Sequence, residues 1–110
     1  MEMVNISISK EIIERLKIIE GVNVEAKLVY LLNSGFVSQL RECESYILDY
    51  ETKYGLSFDD FRNLWKKNQI KEKHSHEVER DFMEWEGFQL ERSKWLGMIR
   101  DLKNIESEYG

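Results

Sequence analysis

The chain of 110 residues is long enough for one domain and too short for two. It carries 21 Asp+Glu against 16 Lys+Arg, for a net charge of −5, yet 42% hydrophobic and 12% aromatic residues set it apart from a disordered acidic tail. No stretch approaches the ~20 apolar residues of a membrane span; a single cysteine forbids an internal disulfide, and residues 1–10 lack the pattern of a signal peptide, so the expected setting is the cytoplasm.

Val4, Ile6 and Ile8 alternate with Asn5, Ser7 and Ser9, which predicts a short strand. No second alternating run exists in the chain, so its simplest partner is the same strand of a second copy, and a homodimer is expected. Ser9 caps a first helix from Lys10, with Ile12, Ile13, Leu16 and Ile19 on one face and Gly21 at its end. Asn23 caps the next, whose Val29, Leu32, Phe36, Leu40, Cys43, Ile47, Tyr50 and Tyr54 step by three and four as a coiled-coil seam does. Gly35, in an Asn-Ser-Gly run, predicts a kink or break. Gly55 ends this helix, and Ser57 with Asp60 makes a capping box for a third, which buries Phe58, Phe61, Leu64 and Trp65. Residues 66–75 are polar and read as a connection tacked down by Ile70. Ser75 then caps a last helix with Val78, Phe82, Trp85, Phe88, Trp95, Ile99 and Leu102 on its seam. Arg92 falls where that seam calls for an apolar residue, so it snorkels or meets a carboxylate.

The fold expected is thus mainly α, a single domain over 1–110. A strand-helix arm over 1–33, similar to a ribbon-helix-helix unit, precedes an antiparallel hairpin of long helices over 34–110 with a short helix across its turn.

The residue types that carry chemistry are scattered. His74 and His76 stand two apart beside Glu77 and Glu79, but i and i+2 side chains diverge on a helix and a closed zinc site needs about four converging ligands. Cys43 lies on the apolar seam with no histidine near it in sequence, which fits core packing. The stripe Glu77, Asp81, Glu84 and Glu91 reads as a helix face. There is no phosphate-binding glycine loop and no nucleophile elbow. The sequence therefore predicts no enzyme, no cofactor, no metal and no small-molecule substrate. DNA contact through Asn5, Ser7 and Lys10 of the arm is expected to be weak, because residues 1–56 hold six Lys+Arg against nine Asp+Glu. The one basic cluster, Arg62, Lys66, Lys67, Lys71 and Lys73, can steer an acidic partner.

Residues 50–61, YETKYGLSFDDF, and 75–86, SHEVERDFMEWE, stand in an order and separation that resemble two blocks of small helical prokaryotic antitoxin-type proteins, of the kind encoded beside TumE-like ribonuclease toxins. The resemblance implies a non-enzymatic protein that masks a toxin's surface. Aromatic anchors and acidic charge suit that task on independent grounds. The alternatives are a homodimeric coiled-coil adaptor and a ribbon-helix-helix repressor. The partner-binding surface is expected on the last helix, at Asp81, Glu84, Trp85, Phe88 and Arg92, since Met83, Leu90 and Leu96 lie off its seam and a single hairpin leaves them uncovered.

Overall fold

A helix forms wherever a cap precedes a three-four run of apolar residues in this chain. The computed structural model describes residues 2–109 and contains α1 (Lys10–Leu16), α2 (Val24–Tyr54), α3 (Phe58–Lys66) and α4 (His76–Tyr109). The expected caps are in place. Ser9 accepts from the Ile12 amide, Asn23 from Ala26, Ser57 from Asp60 and Ser75 from Val78. Gly55, in the left-handed conformation at φ 66°, stops α2 with its amide bonded to the Glu51 carbonyl.

α2 and α4 pair along their length, and α3 closes the turn between them. The core sits at that turn. Trp85 and Phe61 are fully enclosed, surrounded by Cys43, Ile47, Phe58 and Val78 and flanked by Tyr50, Tyr54, Trp65 and Phe82. Burying a side chain of this size contributes about 1.5–3 kcal/mol, so this cluster anchors the hairpin. Away from it, among the described residues, only Leu16 and Leu102 join the buried hydrophobic residues. The result is a rod of 58 × 28 × 20 Å with a radius of gyration of 20.2 Å, against about 13 Å for a compact domain of this size.

Three expectations are corrected. The described residues contain no strand: residues 2–9 are irregular, with Val4 and Ile6 more than two-thirds exposed. Within one chain nothing offers a pairing edge, and alternation alone does not satisfy a strand's backbone. Next, α1 stops at Leu16 rather than at Gly21, because the Lys17 and Ile19 amides turn back onto Glu14 and Leu16. Gly21 serves the turn instead. Its φ is +142°, and a Cβ there would stand 2.8 Å from the Lys27 backbone nitrogen, so only glycine lets the chain fold back onto the start of α2. Lastly, α2 runs unbroken through Gly35, whose missing side chain faces open space; the 33/34 boundary expected between arm and hairpin lies inside this helix.

Candidate functional site

The helix α4 brings all five residues of the expected partner-binding set to one side, and that side faces α2. Trp85 stacks on Tyr50 and Tyr54, with ring centroids at 5.6 and 5.9 Å, and meets Phe58 edge-on and Phe61 tilted. It has no exposed surface, and its indole N–H has no hydrogen-bond partner. Phe88 stacks on Tyr46 at 4.6 Å, while its carbonyl accepts from the buried Cys43 thiol at 2.9 Å. Burial, and then the charges of Glu91 and Glu44, raise the pKa of that thiol and hold it neutral. Arg92 donates to Glu44 at 3.2 Å, which explains how a charge stands on the seam.

The polar members make a clasp between the helices. Asp81, buried, accepts from Lys53 at 2.6 Å and from the Tyr54 hydroxyl at 2.5 Å. Lys53 also reaches Glu77 at 2.6 Å, and the Tyr50 hydroxyl donates to Glu84 at 2.6 Å. Burial pushes the Asp81 carboxyl up, but the bonds from Lys53 and Tyr54 outweigh it and the net shift is downward. Burial followed by the bond to Asp81 pushes Tyr54 up to about 12, and Tyr50 rises too, by burial and its bond to Glu84. Lys53 is raised by its bonds to Asp81 and Glu77. Asp81, Lys53, Tyr50 and Tyr54 thus each favour the form that makes these bonds, which is what a structural lock needs. No signal in the sequence pairs Lys53 with a residue 28 positions away.

The described residues hold no group of three or more metal-ligating side chains. His74, 86% exposed, lies 3.6 Å from Glu79, and Ser75 is occupied as the α4 cap. A groove of about 420 Å³ beside the connection is lined by Tyr54, Leu56, Leu64, Ile70 and Val78, with Lys53 and Lys71 at its edge. Gln69, Glu72 and Glu77 complete its mixed polar and apolar walls, which carry no nucleophile-base pair. Of the basic cluster, Lys73 is held by the Trp65 carbonyl at 2.9 Å and Asn68 at 2.7 Å, with its ammonium over the Trp65 ring. Asn5, Ser7 and Lys10 are exposed at the head of the arm without a ribbon to present them.

What the fold leaves uncovered is apolar. Met3, Val4, Ile6, Ile18 and Val22 are each at least 70% exposed, and Tyr30, Leu31 and Leu32 are 39–48% exposed. A second line on α4, Met83, Leu90, Met98 and Ile105, also meets solvent. Sequence reasoning expected interface residues among the aromatics of α4, whereas the exposed apolar surface lies on the arm and on that helix's back. No helix among the described residues is long and apolar enough to cross a membrane. Comparison of the chain with family models, curated proteins and solved structures finds no match.

Proposed function

We propose that this is a non-enzymatic, antitoxin-type protein that neutralises a small toxin by covering its surface, and that it acts as a homodimer. The observation that carries this reading is the exposed apolar surface of residues 3–32, held on a rod whose opposite end is sealed. Exposed patches of this kind mark partner surfaces on folded proteins. The net charge of −5 adds attraction toward a basic ribonuclease. On this reading the arm, with Ile6 and Leu31 as anchors, grips the toxin. Of the α4 set, Glu84 adds acidic rim while Trp85 only supports the frame. The repressor alternative needs residues 4–9 to pair between two copies, and in the single chain they are irregular. The contacts expected of Asn5, Ser7 and Lys10 then amount to the weak phosphate attraction of one lysine.

Co-expression with the product of the neighbouring reading frame tests the proposal. The expected result is a stable complex and relief of that product's growth arrest. A folded protein that neither binds the product nor relieves arrest overturns it.

A further inference from the structure

The outer line of α4 has a symmetry of its own. At about 100° per residue, Met83, Gly87, Leu90, Lys94, Met98, Asp101 and Ile105 all lie within about 40° of the direction opposite Trp85. Met83 and Leu90 are 72% and 68% exposed, Met98 and Ile105 38% and 42%, so the first two stand open to solvent and the second two are only partly covered within the chain. Their spacing reads nearly the same in both directions from Lys94: Leu90 and Met98 stand four residues to either side, Met83 and Ile105 eleven.

Resting on the homodimer proposed above, we infer that the back of α4 pairs with the back of α4 in a second copy, antiparallel, about a two-fold axis at Lys94. That register sets Leu90 against the partner's Met98 and Met83 against the partner's Ile105. Charge selects this arrangement over a parallel one. A parallel pair would stack Glu91 on Glu91 and Asp101 on Asp101, and would align the two helix dipoles. The antiparallel pair sets Asp101 against the partner's Gly87 and Glu91 against the partner's Gly97, where no side chain competes for space. Lys94 does not crowd the axis, because its ammonium lies 4.3 Å over the Trp95 ring, to one side of the line. It is also flanked by Glu91 of its own chain, one turn earlier.

The paired strip spans about 33 Å at 1.5 Å per residue. A single helix face of that length falls well below the roughly 800 Å² per partner of a standard interface. The dimer is therefore a weak, exchanging one.

Light scattering coupled to gel filtration, with cysteine pairs closed by a short bismaleimide, tests the register. The expected result is a concentration-dependent dimer, self-crosslinking of Lys94→Cys, no self-crosslinking of Gly87→Cys, and crosslinking of Gly87→Cys mixed with Asp101→Cys. Buried Cys43 gives the wild-type blank. Leu90→Asp, and independently Met83→Asp, weakens the dimer by about tenfold or more, as loss of a central anchor does, with helix content unchanged. A dimer that ignores both substitutions and does not link at position 94 overturns the seam while leaving the homodimer standing. A monomer at every concentration overturns both. If Leu90→Asp spares the dimer but abolishes the toxin complex, the line belongs to the toxin and the inference fails.

Discussion

The two ends of the rod solve opposite problems with the same kinds of residue. At the turn, aromatic rings from α2, α3 and α4 enclose Trp85 and Phe61, and Asp81 is buried with two donors aimed at it. At the far end Leu16 is buried, but Ile6, Ile18 and Val22 face water. Both ends are apolar in sequence; only one has neighbours to fill it. A short helix across the turn makes the difference, because α3 adds a third wall where the arm adds one loose segment. Apolar surface that a fold leaves open in this way carries association energy rather than stability.

Substitutions that treat the two ends alike should give unequal results. The largest loss is expected from Trp85→Ala, which empties the centre of the sealed end and should cost about 3–5 kcal/mol in urea denaturation followed by circular dichroism. A loss under about 1 kcal/mol would mean that the aromatic cluster does not hold the hairpin. A smaller effect is expected from pH. Lys53 and Tyr54 both bind their protons more tightly when folded, so the stability they contribute is whole below their unfolded values of about 10. It should drain away as pH rises through the folded value of about 12 for Tyr54. Asp81, shifted down, works in the other direction: its contribution is present above about 3.9 and is lost as pH falls. Lys53→Met with Tyr54→Phe should reduce the alkaline limb, leaving the part that belongs to Tyr50, and an unchanged limb would rule out Lys53 and Tyr54 as its source. The smallest change in stability is expected at the open end. Ile6→Asp should stay within about 0.5 kcal/mol of wild type, as exposed positions do, while abolishing the complex proposed with a toxin; a large loss of stability there would show that the arm is already packed.

The helices were legible from sequence because their causes are local. Ser9, Asn23, Ser57 and Ser75 each bond an amide three residues on, so spacing alone identifies them. The seam of α4 is legible for the same reason, and Arg92 stands out there as a residue that snorkels or meets a carboxylate, although nothing local could name Glu44. The polar clasp was not legible. Lys53 and Asp81 sit on different helices, and only the pairing register brings them together. The strand failed because period-2 alternation describes where side chains point and not whether the backbone finds a partner. The break at Gly35 failed because about 1 kcal/mol of unfavourable propensity is small against 31 residues of helix packed along α4. For the candidate site, the expected set lies on the side of α4 that faces α2, a pairing no local pattern could name. Trp85 and Phe88 answer to α2, and the off-seam Met83 and Leu90 are what meets solvent.

The distribution of chromophores follows the same division. All three tryptophans, Trp65, Trp85 and Trp95, lie on α3 and α4, whereas Tyr30 is the sole aromatic residue among the first 35. Trp65 and Trp85 stand within the sealed cluster, and Trp95 meets Phe36 at 5.8 Å further along the rod. Indole emission therefore reports the hairpin and is nearly blind to the arm. A titration in which a ligand orders residues 2–9 would leave tryptophan fluorescence flat while circular dichroism moves, so a silent fluorescence trace on this protein is no evidence that nothing has bound.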